Sequence, residues 1–318
     1  MPLPAKIIIT GGAGLIGQNL IVRLLAAGDS NSTPLTLVAI DKHAHNARVL
    51  RGLHPTITVI VADLARDDGW QHHLAGADAL VIAHAQIGGE DEAPFIANNI
   101  TATQRLLAAA ETASVGRIVH LSSSVVTSVA DDYYTQTKLA QEKLVAACAI
   151  PHVILRPTLM FGWFDRKHLG WLARFMQRVP VFPIPGNGKY KRQPLYAGDL
   201  CAVILACLSG PPRAGAHNIS GREVIDYIDL IRAIRTGIGS HTLIVKIPYW
   251  FFHLLLWIYA RFSANPPFTT RQLAALVIPE LFEISDWPGI FAVRATPLAE
   301  ALAETFRAKP YCAVELDF

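Results

Sequence analysis

Near its start the chain reads Lys6-Ile7-Ile8-Ile9-Thr10-Gly11-Gly12-Ala13-Gly14-Leu15-Ile16-Gly17. The isoleucine run has the look of a buried strand, the glycines of a turn, and Leu20, Ile21, Leu24 and Leu25 recur afterwards at helical spacing. A strand, a glycine turn and a helix in that order offer backbone N–H groups and a helix N-terminus to a diphosphate. Gly11 permits the tight turn, Gly14 lets a pyrophosphate approach, and Gly17 lets helix and strand pack closely. The expected dinucleotide cradle is therefore Gly11, Gly14, Leu15, Ile16 and Gly17.

A second apolar run, Leu35 to Ile40, ends at Asp41. A carboxylate at that strand tip accepts hydrogen bonds from ribose hydroxyls and repels a 2′-phosphate, which favours NAD over NADP. The plainer reading is a solvated acid at a strand end, and Lys42, His43 and Arg48 stand close enough to soften the discrimination. A third run, Thr56 to Ala62, ends at Asp63-Leu64, where a carboxylate can reach the adenine amino group.

Strand candidates over 6–10, 35–41, 56–62, 79–84, 117–122 and 151–156 alternate with helical patterns near 15–27, 98–113 and 135–148. Such alternation predicts an α/β fold, a doubly wound parallel sheet with helices on both faces. After Pro157 proline and glycine cluster at 180–188 and 209–215, which reads as a smaller C-terminal lobe around the carboxyl ends of the strands. The expected division is 1–157 for the dinucleotide-binding domain and 158–318 mainly for a substrate lobe, interleaved with late elements of the first domain.

Composition narrows the class. Of 318 residues, 52% are hydrophobic and 17% charged, which excludes disorder. A net charge of +3 without a basic stripe gives no reason to expect nucleic acid. Cys148, Cys201, Cys207 and Cys312 form no close pair and read as buried thiols of a reducing compartment. The histidines lack ligand spacing, so no metal is expected. Met1 runs almost directly into the first strand, so no signal peptide is expected and the cytoplasm is the expected compartment.

The fifth strand delivers Ser122-Ser123-Ser124, and Tyr134-Thr135-Gln136-Thr137-Lys138 follows. Positions i and i+4 share a helix face, so Tyr134 and Lys138 sit one above the other. A nearby ammonium lowers a phenol pKa, and a serine hydroxyl orients a substrate oxygen toward that phenol. Tyrosine, lysine and serine then form a proton relay beside a nicotinamide, as hydride exchange with a carbinol requires.

With these pieces in place the chain resembles the extended short-chain dehydrogenase/reductase superfamily, in its nucleotide-sugar epimerase and dehydratase branch. The matching residues are Thr10–Gly17, Asp41, Asp63-Leu64, Ala83-His84-Ala85, Asn99 with Thr103, Ser122–Ser124, Tyr134 with Lys138, Leu155-Arg156-Pro157, Phe161-Gly162, Gly186-Asn187-Gly188, and Arg192 with Asp199. The resemblance implies a Rossmann domain that binds NAD, with Ala83, Ala85, Asn99, Tyr134, Lys138 and Pro157 joining the cofactor contacts. It implies Tyr134 and Lys138 as the catalytic pair, Ser124 as the catalytic serine with Ser123 beside the substrate or in reserve, Arg192 on the substrate's diphosphate, and a homodimer. Arg192 read without the family is a surface arginine. Phe282 to Leu298 resembles the family's closing strand and last helix.

Two departures stand out. Ser124 to Tyr134 spans only 10 residues, shorter than in the relatives, so the loop that shelters the sugar is missing or supplied from elsewhere. Val125 and Val126 stand where the family's sugar dehydratases carry an Asp-Glu pair, which argues against water elimination. Pro248-Tyr249-Trp250-Phe251-Phe252-His253-Leu254-Leu255-Leu256-Trp257-Ile258-Tyr259, flanked by Lys246 and Arg261, is too short to span a bilayer. It reads either as core of the small lobe or, over 248–261, as a helix lying on the inner face of a membrane. The leading expectation is an NAD-dependent C4 epimerase of a nucleotide-linked or polyprenyl-diphosphate-linked sugar. The alternatives are a ketoreductase or alcohol dehydrogenase, including the sterol type, and a non-catalytic nucleotide-binding subunit.

Overall fold

The computed structural model describes residues 3–28, 34–128, 131–211, 213–262, 270–279 and 281–317. The first half supplies six strands, β1 (Lys6–Thr10), β2 (Thr36–Asp41), β3 (Thr58–Val61), β4 (Ala79–Ile82), β5 (Arg117–Leu121) and β6 (His152–Pro157). Helices α1 (Leu15–Gly28), α2 (Ala44–Leu53), α3 (Glu92–Phe95), α4 (Ala102–Thr112) and α5 (Tyr133–Ala147) run between them, and a π-helical turn, Ile96–Thr101, joins α3 to α4. The second half adds β7 (Met160–Phe161), β8 (Val181–Pro185), β9 (Lys191–Arg192), β10 (Leu195–Tyr196), β11 (Ala216–Ile219), β12 (Ile225–Asp226) and β13 (Leu243–Ile247). Its helices are α6 (Leu169–Arg178), α7 (Ala197–Ser209), α8 (Tyr227–Gly237), α9 (Tyr249–Phe262), α10 (Thr270–Leu276), α11 (Trp287–Phe291) and α12 (Leu298–Arg307).

Seven of these strands pair in parallel in the order β11-β6-β5-β4-β1-β2-β3. Side chains alternate across a strand, so Ile7 and Ile9 enter one layer with Leu20, Leu24, Leu200, Ile204 and Trp287. Ile8 enters the other with Val38, Ile40, Leu80, Leu106 and Val145. Both faces are covered, which is why the strands read as continuous apolar runs. The chain leaves β1 toward β2 and later returns to its other side with β4. That reversal of strand order opens a crevice at the carboxyl ends of β1 and β4, where open α/β sheets take their ligands.

The smaller lobe has a core of its own, in which Phe161, Met176, Ile184, Tyr227, Ile231 and Leu302 pack together. Side chains of α1 help fasten it to the first half. Asn19 donates to the Trp163 carbonyl at 2.7 Å, and Arg23 donates to the Tyr196 hydroxyl at 2.8 Å and to Glu304 at 3.0 Å. The second half also gives β11 to the edge of the central sheet, and its α7 packs on α1.

The expected closing strand is absent from 281–286. Ser220 Oγ and Arg222 instead hold that segment through the Glu283 and Ser285 carbonyls, so side chains replace a strand ladder there. The last helix is α12. All four cysteines are free; Cys201 and Cys207 are buried and the other two half-buried, so burial is less complete than expected.

Candidate active site

The glycine turn after β1 is tightly packed on one side and open on the other. Gly11 has φ +68°, and a Cβ there would stand 2.7 Å from the backbone of Ala83 and His84. At Gly17 a Cβ would run into the backbone of Gly11 and Gly12. A Cβ on Gly14 would meet only the Gly11 oxygen, at 3.3 Å, so a side chain there would fill the cradle above the start of α1. The residues present therefore fit a dinucleotide diphosphate at that helix N-terminus, with Leu15 and Ile16 as its first residues.

Asp41 is buried at the tip of β2. Its carboxylate accepts from the Ala13 N–H at 3.0 Å and the His43 N–H at 2.9 Å, so it braces the turn as well as facing the crevice edge. At the end of β3, Asp63 is half-buried and accepts from the Ala65 N–H at 2.9 Å, while Leu64 is in the core. Ala83 and Ala85 are half-buried just past β4. Asn99, fully buried in the π-helical turn, accepts from the Gln86 N–H at 2.7 Å and donates to the Gln86 carbonyl at 3.1 Å and Thr137 Oγ1 at 3.0 Å. It thus clamps the loop after β4 to α5. Pro157 closes β6 and is buried.

Asp132 caps α5 by accepting from the Thr135 N–H at 2.8 Å, and Tyr134 and Lys138 follow on successive turns. Burial raises the Tyr134 pKa; a hydrogen bond with Ser123 opposes that rise and the Asp132 charge adds to it. This corrects the expectation that Lys138 lowers it. The ammonium is turned inward, donating to the Leu121 carbonyl at 2.8 Å and to Gln141 Oε1. Lys138 is 1% exposed, and burial pushes its pKa down to about 7 despite the charge of Glu142.

A chain of hydrogen bonds, buried at Gln141 and Thr103 and half-buried at His84, continues behind Lys138. Gln141 Nε2 donates to Thr103 Oγ1 at 2.8 Å, Thr103 Oγ1 pairs with His84 Nε2 at 3.2 Å, and His84 Nδ1 pairs with Thr10 Oγ1 at 2.8 Å. Thr10 Oγ1 reaches the Val81 carbonyl at 3.4 Å. Each hydroxyl accepts one bond and donates the next if His84 carries its proton on Nδ1. A neutral ring is what the surroundings favour: burial first, then the charges of Lys138 and Lys42, push its pKa down to about 3. The chain joins the end of β1 to the lysine of α5.

Among the expected site residues, Ser123 is the serine that acts on the Tyr134 phenol, opposing the rise in its pKa. Ser124 opens the 3-10 turn Ser124–Thr127, its carbonyl accepting from Thr127, and is displaced one residue along from the phenol's partner. Ser123, just before the turn, is in extended backbone, whereas Ser124 is the turn's first residue. Residues 129 and 130, in the short link to Tyr134, lie outside the described residues. Arg192 is 8% exposed on β9, donating to the Ile278 carbonyl at 3.0 Å, the Lys191 carbonyl at 2.7 Å and the Leu276 carbonyl, over the Tyr190 ring. Asp199 accepts from the Thr296 backbone and hydroxyl and fixes the lead into α12.

Sequence reasoning missed Gln141 and Glu142. Glu142 accepts from Ser122 Oγ at 2.6 Å and Arg156 Nε at 3.1 Å, tying α5 to β5 and β6. The signal was present: Glu142 lies four residues past Lys138 and shares its helix face.

The NAD dependent epimerase/dehydratase family matches residues 7–220. An uncharacterized UDP-glucose epimerase, YtcB, of Bacillus subtilis is 30% identical over 259 residues, covering 72% of this chain and 82% of its own. A dTDP-glucose 4,6-dehydratase of Streptomyces niveus is 26% identical over 263 residues, covering 74% and 78%. The solved structure of UDP-glucuronic acid 4-epimerase from Bacillus cereus in complex with NAD superposes with a TM-score of 0.64 at 26% identity, over 76% of this chain and 88% of that one. The chain belongs to the NAD dependent epimerase/dehydratase family and is an NAD-dependent enzyme of the extended short-chain dehydrogenase/reductase type.

Proposed function

We propose that the protein is a sugar epimerase acting at C4 of a nucleotide-linked or polyprenyl-diphosphate-linked sugar, as a homodimer. The observation that carries this reading is the Tyr134–Lys138 face of α5, with the Lys138 ammonium on the Leu121 carbonyl at the end of β5 and no carboxylate in the turn Ser124–Thr127. Bound NAD supplies a reversible hydride acceptor.

Ser123 orients the sugar's C4 hydroxyl toward the phenol. Once ionised, Tyr134 takes the hydroxyl proton as hydride leaves C4 and returns it to the C4 oxygen when hydride comes back to the opposite face; the positive charge of oxidised NAD would have to offset the burial that raises its pKa. Protons and hydride are both restored, so no net oxidation occurs. Gly14 and the start of α1 receive the cofactor diphosphate, and Asp41 receives the adenosine ribose. Lys138 has two of its three N–H groups engaged by protein, and the third serves the nicotinamide ribose. Arg192 takes up a substrate diphosphate only by exchanging the Leu276 and Ile278 carbonyls for phosphate oxygens, which its bidentate fork permits.

The test is to incubate the NAD-loaded enzyme with a panel of nucleotide hexoses and follow both sugar and cofactor. The expected outcome is catalytic formation of the C4 epimer with no accumulation of reduced cofactor. Net consumption of cofactor would replace this reading by a ketoreductase or alcohol dehydrogenase. Cofactor binding without turnover on any sugar or alcohol would replace it by a nucleotide-holding subunit.

A further inference from the structure

The α9 helix, Tyr-Trp-Phe-Phe-His-Leu-Leu-Leu-Trp-Ile-Tyr-Ala-Arg-Phe, is apolar enough for a protein core. Yet Trp250 is 68% exposed and Trp257 51%, and Phe251, Leu254, Leu255 and Ile258 are exposed beside them. Trp250, Leu254, Trp257 and Ile258 follow helical spacing on one face, and Phe251 and Leu255 widen it into a broad arc. The arc exceeds the narrow seam that one partner helix would cover. The helix packs on α10, whose closing carbonyl at Leu276 rests on Arg192, and Ile278 and Leu281 beyond it are exposed as well.

Charge is distributed to match. From Leu230 to Pro279 the sequence holds no aspartate or glutamate, but holds Arg232, Arg235, Lys246, Arg261 and Arg271. All 25 acids of the chain lie elsewhere, and the rest of the molecule carries more acids than bases. Lys246 is exposed just ahead of α9, and the Arg261 guanidinium stands 4.9 Å over the Trp257 ring at its far end. Tryptophan and tyrosine concentrate at membrane–water interfaces, and flanking cations meet lipid phosphate. Among the described residues no helix is long and apolar enough to cross a membrane. The charged side chains that flank the helix itself, Lys246 and Arg261, are both cations, which suits an anionic surface better than a two-fold copy of the same face.

We propose that α9, with Ile278 and Leu281 behind α10, docks in the headgroup layer of an anionic membrane. The helix lies in the plane of the interface, its indoles at headgroup depth, with Lys246 and Arg261 on phosphate oxygens. This goes beyond the proposed reaction and does not depend on it, because vesicle binding is read without substrate.

The experiment sediments the full chain with phosphatidylcholine vesicles, with and without phosphatidylglycerol, at low and high salt. The protein should pellet with the anionic vesicles and be released by salt. Trp250→Ser with Trp257→Ser should weaken binding by about tenfold or more. Lys246→Gln with Arg261→Gln should cost roughly fivefold per cation on anionic vesicles and little on neutral ones. Unchanged NAD affinity in each variant shows an intact fold; if the double tryptophan variant loses it, Leu254→Gln replaces it with the same direction of effect. Wild type left in the supernatant with anionic vesicles would overturn the proposal. So would binding indifferent to the two indoles, or a dimer that the tryptophan variant converts to monomer without any vesicle binding.

Discussion

Ser123, one residue before the serine that family resemblance selects, is the serine whose side chain offsets part of the burial-driven rise in the Tyr134 pKa. Ser123 sits in extended backbone, with its oxygen also accepting from the Val125 N–H at 3.4 Å, while Ser124 has already entered the turn. Ser123→Ala should therefore lower kcat by about 10²-fold and Ser124→Ala by much less, with Tyr134→Phe at least as severe as Ser123→Ala. NAD affinity should survive all three. A larger loss in Ser124→Ala would return the relay to that residue.

Lys138 and the hydrogen-bond chain behind it set a pH dependence. A lysine held near pKa 7 by burial loses its ammonium as pH rises through neutrality, so NAD affinity of the free enzyme should fall over that range. His84, pushed to about 3, stays neutral throughout and adds nothing to the profile. Gln141→Glu places a carboxylate against the ammonium and should move the fall to higher pH. Gln141→Leu leaves a buried amine donor without its acceptor and should lower kcat/KM by roughly tenfold. A binding profile flat from about pH 6 to 9 would contradict the assignment of Lys138 to the cofactor.

Asp41 should make NAD bind more tightly than NADP, by repulsion of a 2′-phosphate. Because its carboxylate also holds the Ala13 and His43 N–H groups, Asp41→Ala should do two things at once. It should narrow the NAD/NADP gap and weaken both, by about 1–3 kcal/mol for the unsatisfied backbone donors. Equal NAD and NADP affinity in the unmutated protein, measured by titration, would remove Asp41 from the discrimination.

Much of this was legible because it is local. The glycine turn, the helix after it and the Tyr134–Lys138 face follow from spacing along one or two turns of chain. The parallel sheet covered on both faces also follows from the alternation of strands and helices, whereas the order of its strands does not. The chain behind Lys138 was not legible: Thr10, His84 and Thr103 match family motifs, but nothing in their spacing shows that they converge with Gln141 from four separate parts of the chain into one line of hydrogen bonds. Ser123 and Ser124 differ by which way a short turn winds, which no spacing rule fixes. Arg192 shows the converse limit, for a matching motif did not foretell that its guanidinium would be engaged by backbone carbonyls of a segment more than 80 residues away.

Glu142 and Arg156 should matter for stability in acid. Hydrogen bonds from Arg156 and Ser122, with the charges of Arg156 and Lys138, outweigh burial and hold the Glu142 pKa below its usual value. The folded state thus binds fewer protons than the unfolded chain in that range. The stabilisation is present above the ordinary glutamate pKa and lost as pH falls through the lowered one. Glu142→Gln should cost about 3 kcal/mol near neutral pH, since it strands Arg156 in a partly buried position. Its unfolding midpoint should also depend less on pH below about 5 than that of the wild type. Parallel pH dependences in urea melts of the two proteins would show that another carboxylate governs acid unfolding.

The family to which the chain belongs covers both epimerisation and dehydration, and the turn after Ser123 separates them. Removing water from a 4-keto sugar needs one group to take the C5 proton and another to give a proton to the departing hydroxyl. In the turn Ser124–Thr127 the middle positions are Val125 and Val126, which can do neither. The next acids along the chain are occupied: Asp131 accepts from Gln136 and Asp132 caps α5. Glu142 is held by Ser122 and Arg156 on the inner side of the helix. Sugar products should therefore have the mass of the substrate, and a 4-keto-6-deoxy sugar should not accumulate from any nucleotide hexose. Val125→Asp with Val126→Glu restores the missing acids, and a trace of water loss confined to that variant would support the assignment. Catalytic water loss by the unmodified enzyme, seen by mass spectrometry, would mean that acids from the small lobe do this work and that the epimerase reading is mistaken.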